Sequence, residues 1–231
     1  EIITDELEVL PDNITMEIAK EFALDIPNQL ITASIDEAIE FAAKNFPVAI
    51  KATAKDLAHK TDFKGLFLDI RTISELQAKF EELTSNIEKV TGKTTPEILI
   101  QEMIEPKAEF FIGANREGDI DIYEPEGLGF GHLMAIGQGG IYTEVYKDIE
   151  KFLVPESIKN ITEALERTNI YKVINGFRGK APLAKQSLIE TIDKIQGILV
   201  TYPEIYTMDI NPVILTEERA VLVDINIFIK R

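Results

Sequence analysis

The chain has 231 residues, 45% hydrophobic and 28% charged, the balance of an ordinary globular protein with one domain or two closely apposed lobes. Forty acidic residues against 24 basic ones give a net charge of −16, so the overall field repels nucleic acid and anionic lipid, and an anionic ligand needs a local basic cluster. Without cysteine there is no disulfide framework, thiolate metal site or cysteine nucleophile, no apolar run has the length of a membrane span, and a reducing cytoplasm is the simplest home.

Met16 to Asp25 reads as a short helix with Ile18, Ala19 and Phe22 inward, broken at Ile26 and Pro27. Ser34 and Glu37 form a capping box for a second helix, whose buried stripe is Ile35, Ala38, Ile39 and Ala42. A strand follows at 47–53, then a polar loop at 54–64, and another strand at 65–70. Ser74 and Gln77 are expected to cap a helix with Leu76, Phe80, Leu83 and Ile87 on one face. This α/β lobe is expected to close near Pro96, giving two domains, 1–98 and 99–231. The second opens with strands at 98–103 and 109–114, then a glycine-dense stretch from Gly127 to Gly140 containing a strand at 132–136. Helices are expected at 156–168 and 183–200, with the polar loop 175–182 between them. A β-hairpin ends the chain, Pro212 to Leu215 going up and Ala220 to Val223 coming back.

The hairpin carries oxygen ligands where a buried strand should have none. Asn211 enters its first strand and Asp224 leaves its second, so the two side chains lie close together at one end. An amide oxygen beside a carboxylate, supported by Asp209, suits Mg²⁺, which takes one or two protein oxygens and fills its octahedron with water and phosphate. An Asx turn before a proline and a solvated strand-end aspartate fit the same residues.

Other candidates lie upstream. Lys51, inside an apolar strand, suits a phosphate ligand on a rigid element, although an edge strand also favours lysine. Gln101, Glu102 and Met103, followed by Ile104, end a strand whose backbone groups suit an adenine edge. Glu109 on the next strand suits the two ribose hydroxyls. That arrangement makes the segment the hinge between the lobes, whereas a plain hairpin with two solvated glutamates accounts for the same pattern. In Gly137 to Gly140, consecutive glycines let N–H groups such as those of Gly139 and Gly140 converge on an anion. Arg178 is a bidentate phosphate candidate on a loop. Of the two histidines, His132 has an apolar, structural context, whereas His59 lies in a polar loop just after the strand of Lys51, placed to accept or orient a phosphoryl group.

Five blocks in order, KATAKDLAHKTDFKG (51–65), ILIQEMI (98–104), GQGGIYTEVYKD (137–148), GFRGKAP (176–182) and DINP with the later VDINI, resemble the ATP-grasp β subunit of ADP-forming acetyl-CoA and acyl-CoA synthetases, relatives of succinyl-CoA synthetase. Ala54 with Lys55, and Lys64 with Gly65, depart from the family's usual Ser-Pro and double glycine. The resemblance implies an α+β ATP-grasp fold of two lobes with the nucleotide between them, and an acid–thiol ligase using ATP/ADP and Mg²⁺. It implies that Lys51 holds phosphates, Glu109 the ribose, and Asn211 and Asp224 the metal, with Asp209 a further metal contact or a guide for an incoming imidazole. It also implies phosphohistidine chemistry and an α subunit bearing the CoA-binding and phosphohistidine domains, as an α2β2 heterotetramer. A self-contained ATP-grasp carboxylate ligase and a non-catalytic nucleotide-binding module are the alternatives.

Overall fold

A computed structural model of the chain describes residues 7–57, 64–117, 131–140 and 148–230. In chain order the elements are β1 (Leu7–Val9), α1 (Asp12–Glu21), β2 (Gln29–Thr32), α2 (Ile35–Asn45), β3 (Val48–Ala52), α3 (Ala54–Leu57), β4 (Leu66–Ile70), α4 (Ile73–Thr91) and β5 (Ile98–Glu102). There follow β6 (Ala108–Glu117), β7 (Gly131–Gln138), β8 (Ile149–Leu153), α5 (Ile158–Arg167), α6 (Tyr171–Ile174), α7 (Lys185–Thr201), β9 (Ile205–Leu215), β10 (Ala220–Leu222) and β11 (Ile225–Lys230). Two compact units emerge, one of residues 9–14 and 27–104, the other of 7–8, 15–26 and 105–230. The main division therefore falls between Ile104 and Glu105, six residues past the expected boundary, and part of the N-terminal segment goes with the C-terminal unit.

The smaller unit is an antiparallel sheet, ordered β2-β5-β3-β4, with α2 and α4 packed on it. Alternation along β3 sends Val48, Ile50 and Ala52 to the helices, where they join Ile98 and Ile100 of β5 and Leu76, Phe80, Leu83 and Ile87 of α4 in one buried cluster. The predicted stripe of α4 is thus fully buried. Ser34 caps α2 as expected, its side chain accepting the Glu37 N–H. The α4 cap differs. Thr72 accepts the Glu75 N–H, and the Glu75 carboxylate accepts the Arg71 N–H, so the helix starts two residues before the Ser74 box.

The larger unit is a seven-stranded sheet, ordered β1-β11-β9-β6-β7-β8, with β10 also paired to β9. Strands β5 and β6, joined by 105–107, lie in different sheets, because β5 pairs with β2 and β3 and β6 with β7 and β9, so the segment connects the two units as the hinge reading expects and is not a plain hairpin. Phe110, Ile112, Met134, Ile136, Met208 and Ile210 face the core. Helices α1 and α7 meet β9 and β11 around a void of only about 10 Å³ lined by Ala19, Leu24, Ile198, Met208, Ile210 and Ile227.

His132 on β7 is 6% exposed, and its Nε2 lies 2.7 Å from the Ile205 carbonyl, to which it donates as Nε2–H. This is the structural role its apolar context suggested. Burial pushes its pKa below the ordinary 6.5, and the Arg116 charge adds to this, while the bond to Ile205 opposes it. Since the folded value lies below the unfolded one, the neutral ring stabilises the fold fully above about pH 6.5, and that contribution is lost as the pH falls through the unfolded pKa towards the folded one. Urea midpoints at pH 7.5 and 5.0 should therefore converge in His132→Gln relative to the wild type. An unchanged difference between the two pH values would remove His132 as the cause.

Candidate functional site

Asp209, Ile210 and Asn211 repeat as Asp224, Ile225 and Asn226, and β9 and β11 lay the two tripeptides antiparallel. Ile225 pairs with Ile210 and Asn226 with Asp209, while the Asn211 N–H donates to the Asp224 carbonyl at 3.2 Å. Alternation turns both isoleucines towards α1 and α7, which leaves two aspartates and two asparagines on the other face. The expected meeting of Asn211 and Asp224 is therefore present. Its context differs from a simple hairpin end, because β9 runs on through Asn211 to Ile205, held by β6 and β11.

The glycine stretch reaches this point. The Gly140 N–H donates to Asn211 Oδ1 at 2.8 Å, and the Gly139 N–H to the Glu109 carbonyl at 2.9 Å. Gly140 has φ +84°, and a Cβ built there would lie 2.0 Å from Glu109 Oε2, so only glycine lets that carboxylate rest against the turn. Glu109, Gly139, Gly140, Asn211, Asp209 and Asp224 thus form one constellation within the larger unit.

Its electrostatics suit a hard cation. Burial first, and the like charge of Asp224 second, push the Asp209 carboxyl above its usual range. A divalent ion beside the pair relieves that repulsion. The donors are all oxygen, and Asn211 Oδ1 keeps a second lone pair beyond the bond from Gly140. Among the described residues no group of three or more His, Cys, Asp or Glu side chains forms a closed metal cage. A sparse oxygen set of this kind fits Mg²⁺, which leaves most of its shell to water and phosphate.

In the smaller unit, Lys51 is half-buried on β3, directly across from Leu66 and Leu99 and on the face away from the helices. Gln101 is buried and donates to Gln29 Oε1 at 2.8 Å, and Glu102 Oε2 accepts from Asn28 Nδ2 at 2.8 Å, so both side chains brace the strand end. The N–H groups of Glu102 and Met103 already donate to the carbonyls of Asn28 and Pro47. Of this strand end, Ile104 is the residue whose N–H makes no hydrogen bond among the described residues.

Arg178 stands apart. It lies on the exposed loop between α6 and α7, and no hydrogen bond or ion pair among the described residues joins it to Glu109, Gly140 or Asn211. His59 and the stretch from Gly127 to Phe130 lie outside the described residues. The segment leading to His59 begins with α3, which the sequence suggested as loop. The Ala54 N–H donates to Asp12 Oδ2 at 2.7 Å, and the buried Asp56 accepts from Thr53 and pairs with Lys93.

Two further residues lie inside motifs read from the sequence but received no role there. Asp148 accepts three N–H groups, those of Asn169 (2.7 Å, and 3.1 Å from Nδ2) and Ile170 (2.9 Å), and its carbonyl accepts from Gln138. It ties the glycine stretch to α6, and no local pattern announces that. Asn226 faces Asp209, and the repeated tripeptide was the signal for it.

Carboxylate and amide oxygens gathered beside a glycine turn, on an antiparallel sheet covered by helices, define the class as an α+β domain with a candidate site for a hard cation. The ATP-grasp domain family matches residues 1–229, and the chain belongs to that family. It is 29% identical over 219 residues to the β subunit of acetate–CoA ligase [ADP-forming] II from Pyrococcus furiosus, covering 93% of this chain and 89% of that one. To acetate–CoA ligase [ADP-forming] I from Archaeoglobus fulgidus it is 27% identical over 90% of its length, yet it spans only 29% of that longer protein. Among solved structures, the dinucleotide-forming acetyl-coenzyme A synthetase 1 of Ca. Korarchaeum cryptofilum, in complex with coenzyme A and Ca-AMPCP, superposes with a TM-score of 0.81 at 26% identity. The match covers 98% of this chain and 94% of that one. Another complex of that synthetase, with coenzyme A and Mg-AMPPCP, has its phosphohistidine segment pointing towards the nucleotide-binding site (TM-score 0.75, 26% identity, 96% and 92% covered).

Proposed function

We propose that the chain is the nucleotide-binding subunit of an ADP-forming acyl-CoA synthetase, acyl-CoA + ADP + phosphate ⇌ acid + CoA + ATP. It works in the cytoplasm with an α-type subunit that carries the CoA-binding and phosphohistidine domains, in an α2β2 assembly. The observation that carries this reading is the pairing of the two Asp-Ile-Asn tripeptides beside Gly140 and Glu109.

Each residue then has a role. Glu109 accepts from the ribose hydroxyls, the Ile104 N–H donates to the base, and Lys51 neutralises phosphate charge. Asn211 and Asp224 would hold Mg²⁺, which when bound screens the phosphate charges that otherwise repel an incoming nucleophile. Asp209 orients the imidazole that brings the phosphoryl group. In the transfer, a terminal β-phosphate oxygen of ADP attacks phosphorus as the P–N bond to the histidine breaks, which gives ATP and a free imidazole. Positioning and charge neutralisation supply most of the catalysis. His59 receives or steadies the phosphoryl group at the nucleotide end.

Calorimetry and a thioester assay test the assignment. The chain alone should bind ADP and make no acyl-CoA, and adding the α-type subunit should restore synthesis. Acyl-CoA made by the purified chain alone would favour the self-contained carboxylate ligase. A chain that bound ADP but supported no transfer with its partner would favour the non-catalytic module.

Gly140→Ala tests the glycine turn. The new methyl must displace Glu109 and adopt a left-handed backbone, so ADP should bind about tenfold more weakly. Gly92→Ala is the control. At φ +76° with nothing within 4 Å of the added carbon, it should cost about 1 kcal/mol of stability and leave ADP affinity alone.

A further inference from the structure

The loop between α6 and α7 is the largest break in the acidic character of this chain. From Arg167 to Ile189 there is no Asp or Glu, whereas five cations occur, in a protein of net charge −16. Two are spoken for, since Arg167 pairs with Glu150 and Lys185 stacks on Tyr171. Lys172, Arg178 and Lys180 take part in no ion pair among the described residues.

The loop is held in shape despite its exposure. The Leu183 N–H donates to the Ile174 carbonyl at 2.8 Å and closes its base, and the Ala184 N–H donates to the Thr216 carbonyl at 3.0 Å and ties it to the β9–β10 turn. Within it the Lys180 N–H donates to the Phe177 carbonyl, and Gly176, Arg178 and Gly179 all have positive φ. For Arg178, at φ +51°, this is a disfavoured backbone state, and strain of that kind concentrates where a surface has work to do. At the tip Phe177 is 49% exposed, with the Arg178 guanidinium 5.3 Å from its ring centre, and Val173 beside the loop is 39% exposed.

The loop protrudes, with every residue from Phe177 to Pro182 exposed, so it offers no concave site for a small molecule. An exposed aromatic with an arginine against its ring is the composition enriched in interface cores, and the lysines beside it add a field that steers an acidic partner. Its fixed shape lowers the ordering cost of association. We propose that the Asn175–Pro182 loop docks into an acidic groove on the α-type subunit, with Phe177 as the apolar anchor and Arg178 and Lys180 as the charges that steer and orient it. This inference rests on the two-subunit reading above, and it places Arg178 at the subunit interface and not on the nucleotide.

The test measures association of the full chain with its co-expressed α-type subunit by biolayer interferometry, alongside ADP binding to the chain alone. Phe177→Ser should weaken association by about 100-fold. Lys172→Glu/Lys180→Glu should slow the on-rate by about tenfold and flatten the loss of affinity between 50 and 500 mM NaCl. Both proteins should keep the wild-type thermal transition and ADP affinity. Arg178→Ala separates the two assignments of that residue. Weaker association with normal ADP binding supports docking, whereas weaker ADP binding with intact association overturns it. Unchanged association in all three variants also overturns the proposal while leaving the two-subunit reading standing. A wild-type chain that fails to associate with the α-type subunit defeats both. Loss of a self-dimer in the variants, seen by sedimentation, would assign the loop to a second copy of the chain.

Discussion

Asp224→Asn should lower phosphoryl transfer to ADP by on the order of a thousandfold while the protein keeps its fold. The substitution preserves shape and removes one negative charge from a position that faces Asn211 across the strand pair and lies close enough to Asp209 to raise its pKa. An amide in its place still offers an oxygen, but it no longer balances a divalent ion against the phosphates. The activity that remains should require far more Mg²⁺, and the Mg²⁺ dependence of ADP binding by the isolated chain should shift in the same direction. Both readouts can be taken beside a thermal melt, which should move little because Asp224 is only half-buried. Turnover and Mg²⁺ dependence equal to the wild type would remove Asp224 from the metal site.

His59→Ala should block ATP formation and spare the earlier half-reaction, in which acyl-CoA and phosphate label the α-type subunit. The expectation follows from position in the sequence, since His59 comes two residues after α3, whose start is tied to Asp12 and whose Asp56 is buried against Lys93. A neutral imidazole is a competent nucleophile towards phosphorus. Rapid-quench labelling of the assembled enzyme with radioactive phosphate separates the two steps. The prediction is labelled α-type subunit accumulating without ATP, with turnover reduced by about a thousandfold or more. ATP made at the wild-type rate would mean that the partner's histidine reaches the nucleotide unaided.

Sequence legibility followed the range of the interactions. The buried stripes of α2 and α4, the Ser34 cap and the Asn211–Asp224 meeting depend on neighbours a few residues away or on one hairpin, and all were readable. Strands β1, β2 and β8 were not, because short strands paired to distant segments carry little periodicity of their own. The same limit hid the fate of β5 and β6. Their spacing left a hinge and a hairpin both open, and partners more than sixty residues away in sequence, Gln29 for Gln101 and Ile214 for Glu109, decide which sheet each joins. At the site, the residue types were legible from the motifs, whereas the contact between Gly140 and Asn211 bridges 71 residues and needed the fold. The cap of α4 was missed for a smaller reason. Thr72 and Ser74 both offer hydroxyls, with Glu75 and Gln77 three residues on, and sequence alone does not rank the two starts.

Strand β9 is eleven residues long and is bonded along its length to β6 on one side and to β10 and β11 on the other. Amide protons in such a doubly paired strand reach solvent only through the rarest openings of the domain, so β9 should be among the last segments to take up deuterium. Asp209 and Asn211 therefore sit on a segment expected to open among the last in the molecule. On the reading proposed above, these two side chains rest on something closer to an anvil than a clamp, and the motion that delivers a phosphoryl group comes from the parts that strike it.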